Sequence, residues 1–122
     1  MVSCLIVDDN AGFLAAAARL LQGQGLDVLA TARSGAEAMR LAAELRPDVV
    51  LMDIDLGGES GFELAARLCG GVRSAGPPVV LISTHAEQDY RDLIAASPAA
   101  GFVAKADLSA AAIVGLLGRP YH

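Results

Sequence analysis

Four short segments of this 122-residue chain carry side chains that can do chemistry: Asp8-Asp9, Asp53, Ser83-Thr84 and Lys105. Each follows an apolar run. Any one of them alone reads as a solvated or helix-capping residue, because a buried strand releases its first polar residue where it ends. As a set they demand more. Two carboxylates about 4 Å apart repel by about 4 kcal/mol at an effective dielectric of about 20. If the three carboxylates converge they need a cation, and Lys105 cannot neutralise them all. A ligand set of oxygens, without His or Cys, selects a hard ion, Mg²⁺ first and Mn²⁺ tolerated. Lys105 and the Ser83 hydroxyl both suit an oxyanion. A metal, a cationic side chain and a hydroxyl around one carboxylate make an arrangement for phosphoryl transfer, in which the carboxylate attacks phosphorus and an acyl phosphate results.

The elements that must position these groups can be read from the apolar pattern. Val2 to Val7 is a short, nearly continuous apolar run, as expected of a strand covered on both faces. A helical stripe follows (Phe13, Leu14, Ala17, Ala18, Leu20, Leu21), closed by Gly23 and Gly25. Asp27 to Ala32 forms a second strand. Ser34 and Glu37 give a capping-box pattern that opens a second helix to about Leu45. Val49 to Met52 is a third strand, Gly57, Gly58 and Gly61 mark a loop, and Phe62 to Leu68 is a third helix. Val79 to Ile82, a helix from about Glu87 to Ala96, Gly101 to Ala104 and a helix from Ser109 to Leu117 complete the chain. This alternation predicts a doubly wound α/β fold with a parallel five-stranded sheet. Right-handed crossovers then put all the strand C-termini, and all four reactive segments, on one edge.

Composition narrows the function classes. The length suits one domain, and 54% apolar residues allow a real core. The net charge of -5, with no basic cluster, disfavours nucleic acid and anionic membranes. The N-terminal apolar run is too short for a signal peptide, and no stretch approaches the roughly 18 residues of a spanning helix. The expectation is a soluble cytoplasmic protein. Cys4 and Cys69 follow no metal or redox spacing and read as buried or incidental thiols.

The segments Leu5-Ile6-Val7-Asp8-Asp9-Asn10, Val50-Leu51-Met52-Asp53, Val80-Leu81-Ile82-Ser83 and Gly101-Phe102-Val103-Ala104-Lys105 resemble, in this order and at these intervals, the signature of response-regulator receiver domains of two-component signalling. The resemblance spans essentially the whole chain. It implies a flavodoxin-like fold with strand order 2-1-3-4-5 and five helices, a receiver over residues 1–118, and a short C-terminal stub at 119–122. It implies that Asp53 is the phosphoacceptor, and that Asp8, Asp9, Asp53 and the backbone carbonyl of Asp55 hold Mg²⁺. Ser83, Thr84 and Lys105 would bind phosphoryl oxygens, and Ser83 and Phe102 would form the switch. Asp55 and His85 would tune dephosphorylation. The implied partners are a histidine kinase or phosphotransfer protein, with a homodimer or effector surface on the face of helix four, strand five and helix five.

Some positions depart from the pattern. Ala106 stands where receivers often have proline, so the sequence no longer signals a cis bond there; without proline it would cost about 2.5–4 kcal/mol. Gly57 replaces a common proline in the loop after Asp53. Helix five carries no charge; Ala112, Ile113, Leu116 and Leu117 are expected toward the sheet, with Ala110, Ala111, Val114 and Gly115 toward solvent. Phe102 also reads as plain core, His85 as a loop residue without a task, and Tyr90 as half-buried filler. Two other functions fit parts of the sequence. A haloacid-dehalogenase-like phosphatase would use Asp53-Ile54-Asp55 as its nucleophile and acid, but leaves Asp8-Asp9 without a counterpart. A binding-only pseudo-receiver would keep the fold, but need not keep the complete reactive set.

Overall fold

The alternating apolar runs form a single parallel sheet in the computed structural model, which describes residues 1–69, 76–85 and 87–118. The sheet strands are β1 (Ser3–Val7), β2 (Asp27–Ala32), β3 (Val49–Asp53), β4 (Val79–Ser83) and β5 (Gly101–Ala104). Counted this way, their order is β2-β1-β3-β4-β5, all neighbours parallel. The helices are α1 (Ala11–Gly23), α2 (Gly35–Leu45), α3 (Gly61–Cys69), α4 (Arg91–Ala96) and α5 (Ala110–Leu116). The expected flavodoxin-like topology is what the chain adopts. Residues 119–122, read above as a stub, lie outside the described residues.

The central strands β3 and β4 are buried at every position, as their unbroken apolar runs require. Alternate residues feed two cores. Cys4 and Ile6 pack with Leu14, Leu21, Ile113 and Val114 of α1 and α5. Leu5 and Val7 pack on the other face with Ala38, Leu64 and Leu68 of α2 and α3, and with Phe102. Edge strand β2 alternates between exposed and half-buried positions along most of its length. Burial pushes the Cys4 thiol up to about 12, with Asp27 adding to the shift, so this cysteine is inert core.

Several local readings are corrected. The fourth helix is split into a 3₁₀ turn, Glu87–Tyr90, and the short α4. The glycine loop after Asp53 contains a two-stranded antiparallel hairpin, Asp55–Leu56 with Glu59–Ser60. Gly57 and Gly58 turn it with φ of +59° and +112°. The capping box on α2 is shifted by one residue. Ser34 Oγ accepts from Glu37 N at 3.2 Å, whereas Glu37 Oε1 accepts from Arg33 N at 2.8 Å. Among the described residues no peptide bond is cis, so Lys105–Ala106 is trans.

The orientation of α5 also differs from the expected stripe. Ala110 and Val114, placed toward solvent above, are 1% exposed, and Leu116, placed toward the sheet, is 38% exposed. Ser109 sets the helix phase by capping Ala112 N at 3.1 Å. The buried stripe is then Ala110, Ile113 and Val114, while Leu116 slides over the edge strand, where Gly101 leaves it room. A carboxylate at position 114 would enter a dry core without a partner. Val114→Glu should lower the urea unfolding free energy by about 3 kcal/mol, with no compensating gain in association.

Candidate phosphoacceptor site

β3 and β4 each end on the polar residue that the sequence singled out, and Asp8 and Lys105 directly follow β1 and β5. Asp8 lies one residue past β1 and is 0% exposed. Its backbone N–H donates to Ala32 O at 3.0 Å, and its Oδ1 accepts from Asn10 N at 2.9 Å. Asn10 in turn caps α1 by accepting from Phe13 N at 3.0 Å. Asp53, the last residue of β3, is 6% exposed, and its Oδ1 accepts from Asp55 N at 3.1 Å. Ser83, the last residue of β4, is 2% exposed and accepts at Oγ from His85 N at 3.0 Å.

Lys105 binds this edge together. Its Nζ lies 2.5 Å from Asp8 Oδ2 and 3.3 Å from Asp53 Oδ2, and 4.3 Å from the centre of the Phe13 ring. The contact with Asp8 is an ion pair without hydrogen-bond alignment, so Asp8 Oδ2 is a buried oxygen with no hydrogen-bond partner. Asp8, Asp9 and Asp53 each present an oxygen within 4.8 Å of the others, Asp9 from the exposed side. One lysine against three carboxylates leaves the cluster short of positive charge. A hard divalent cation fits this donor set, and Asp8 Oδ2, paired with Lys105 but without a hydrogen-bond donor, retains capacity to accept it.

The electrostatics agree. Burial pushes the Asp53 carboxyl up to about 6; the Asp55 backbone N–H opposes this, the Asp8 charge adds to it, and Lys105 opposes it. For Lys105, burial acts downward, but the close contact with Asp8 and the charges of Asp53 and Asp8 outweigh it and raise the ammonium pKa.

The four segments line one cleft of about 240 Å³. Asp55, Thr84 and His85 also line it. Thr84 is exposed and stands 3.5 Å from His85 Nδ1. Phe102 is 8% exposed, packed in the core beneath the cleft rather than in its wall. Tyr90, read as filler, lines the cleft; its hydroxyl is 3.4 Å from His85 Nδ1 and its ring lies tilted against Phe62, with centroids 6.2 Å apart. No motif marks Tyr90, because its place depends on the 3₁₀ turn that replaces the start of the fourth helix. A larger groove, about 590 Å³, lies between α2 and α3 beside Pro47 and Pro77, at the opposite ends of the strands. It holds none of the reactive set.

The family model of the response regulator receiver domain matches residues 4–114. The chain belongs to the response regulator receiver family. It is 35% identical over 107 residues to the response regulator GacA of Pseudomonas aeruginosa, covering 86% of this chain and 49% of that protein. The chain spans about a quarter to a half of the length of the curated relatives it matches. Among solved structures it resembles the signal receiver domain of NarL from Mycobacterium tuberculosis, with 32% identity, TM-score 0.79, and coverage of 97% and 98% of the two chains. It also resembles a response regulator of Burkholderia pseudomallei solved with a phosphorylated aspartic acid and a calcium ion, with 25% identity, TM-score 0.79, and coverage of 95% and 66%. A receiver of this family serves two-component phosphorelay, and the family partners are histidine kinases and effectors.

The raised Asp53 pKa has a consequence for stability. In the unfolded chain the carboxyl ionises near its ordinary 3.8, and in the Mg²⁺-free fold near 6. Between these values the native state holds the extra proton, so stability falls as pH rises from about 4 to 6 and stays lower above. Asp53→Asn should therefore melt above the parent at pH 7 in chelator, by on the order of 5 °C, with the gap closing toward pH 4. Millimolar Mg²⁺ should raise the parent's Tm at pH 7 and narrow the gap. Thermal melts followed by circular dichroism across pH check both.

Proposed function

We propose that Asp53 accepts a phosphoryl group, with Mg²⁺, from a histidine kinase or phosphotransfer protein. The observation that carries this reading is the placement of Asp53: buried at a strand end, beside the Lys105 ammonium that it shares with the buried Asp8 carboxylate. Mg²⁺ would be held by Asp8, Asp9, Asp53 and the backbone carbonyl of Asp55, and when bound supplies charge neutralisation between carboxylate and phosphoryl oxygens. Mn²⁺ suits the same donors.

The protein's own groups do the rest. An Asp53 oxygen attacks phosphorus, the P–N bond of the donor phosphohistidine breaks, and its electron pair stays on the imidazole nitrogen. Lys105 already reaches Asp53 Oδ2 and pairs with a phosphoryl oxygen there. Ser83 Oγ uses a lone pair for His85 N–H, so its own proton is free to donate to another phosphoryl oxygen. Thr84 is a second donor at the rim. Asp55, His85 and Tyr90 flank the approach of water and set the lifetime of the acyl phosphate. The product is one phosphorylated domain, made once per signal rather than turned over as by a phosphatase. Residues 1–118 form the receiver unit.

Incubation with Mg²⁺ and acetyl phosphate should add one base-labile phosphoryl group, read by intact mass. Asp53→Asn should gain none; equal labelling of the variant would refute the assignment.

The output surface in this reading is the face of α4, β5 and α5. When Ser83 turns toward the phosphoryl group, Phe102 shifts with it, and the change reaches that face. Leu93 on α4 is 54% exposed and Leu116 on α5 is 38% exposed, which gives the face apolar area for a second copy or an effector. Beryllofluoride with Mg²⁺ should raise the sedimentation coefficient of the parent, and Leu93→Lys should abolish the increase. A parent that stays monomeric with the mimic would assign the face to a different protein.

A further inference from the structure

We propose that Glu59 is a positioning residue for the cation cleft: it latches the hairpin after β3 to the first turn of α2 and so holds one wall of the cleft in place. The proposal rests on the reading of the cleft as a Mg²⁺ site.

Glu59 Oε1 accepts from Gly35 N at 2.9 Å, across 24 residues of sequence. Gly35 is the first residue of α2, where backbone N–H groups lack helical partners and carry partial positive charge. Ser34 satisfies Glu37 N, and the carboxylate of Glu59 satisfies Gly35 N. The approach is close: a Cβ at position 35 would lie 2.5 Å from Glu59 Oε2 and 2.7 Å from Leu64 Cδ2. A side chain at position 35 would have to push the ends of Glu59 and Leu64 aside.

The latched hairpin carries groups of the cleft. Leu56 pairs with Glu59, and Asp55 with Ser60. Asp55 N donates to Asp53 Oδ1 at 3.1 Å. Gly57, at the hairpin tip, has φ +59°, and a Cβ there would lie 3.0 Å from Asp9 Oδ2. Strands of two residues do not hold a hairpin together in water. This one is fixed by the burial of Leu56 and, on its other strand, by Glu59. The turn that receives the latch also reaches the opposite wall: Arg33 Nη2 donates to Asp9 O at 3.4 Å. Residues 33–35 thus grip both sides of the cleft. Glu59 touches no cleft carboxylate; it acts through Asp55 and Gly57.

The test compares the full chain with Glu59→Ala and Glu59→Gln, both at an exposed position. Calorimetric titration with MgCl₂ reads affinity, and hydrogen exchange in chelator reads the Gly35 and Asp55 amides. Glu59→Ala should weaken Mg²⁺ binding on the order of 10-fold and lose protection at both amides. Glu59→Gln should stay close to the parent, because its amide oxygen accepts the same bond. Parental affinity and protection in Glu59→Ala would overturn the latch. Equal weakening in both variants would also overturn it, by assigning the effect to charge alone. A parent that takes up no Mg²⁺ would overturn the cleft reading itself, a result distinct from failure of the latch.

Discussion

Asp8 carries its carboxylate where solvent does not reach, and a buried charge persists only when it is matched. The match comes from Lys105, across the sheet: β5 is separated from β1 by β3 and β4, and the lysine passes over the end of β3 to arrive. That single ion contact places Asp53 beside an ammonium, sets the Lys105 head over Phe13 of α1, and ties both halves of the sheet at one edge. The rest of the cleft follows from the same charge. Asn10 N and the Asp8 Oδ1 bond fix the start of α1, while the other oxygen is left without an aligned donor. The cleft is built around a deficit of positive charge, with one ammonium set among three carboxylates.

The fold and the reactive set were legible in the sequence for a physical reason. Parallel strands covered on both faces must be apolar from end to end, so Val49 to Met52 and Val79 to Ile82 stand out. Crossover handedness then sends their polar successors to one edge. Asp8, Asp9, Asp53, Ser83 and Lys105 could be placed together without coordinates. What could not be read depends on weak local preferences. The phase of α5 is decided by the Ser109 cap and by packing, because a run of Ala, Ile, Val, Gly and Leu without charge has no polar face to orient it. Tyr90 enters the cleft because residues 87–90 tighten into a 3₁₀ turn, which no residue there announces. Glu59 was invisible for another reason: its partner is a backbone N–H, and backbone groups have no letter in a sequence.

The hairpin after β3 shows how a short glycine-containing loop gains definition. Gly57 and Gly58 permit the turn, Gly61 lets α3 start against the backbone of Asp53, and neither effect alone would fix a geometry. Definition comes from distant ties: Leu56 into the core and Glu59 onto α2. A loop held in this way can be permissive in its backbone and still hold the cleft wall in place.

The contact between Gly35 and Glu59 also constrains how this lineage can change. While the carboxylate occupies the first turn of α2, a side chain at position 35 must displace its end and that of Leu64. Once Glu59 is lost, the carboxylate no longer blocks the site, and only the adjustable Leu64 side chain opposes a small residue there. The two positions should therefore drift together among descendants of this sequence. A substitution at Glu59 eases replacement of Gly35, which costs the latch while Glu59 remains.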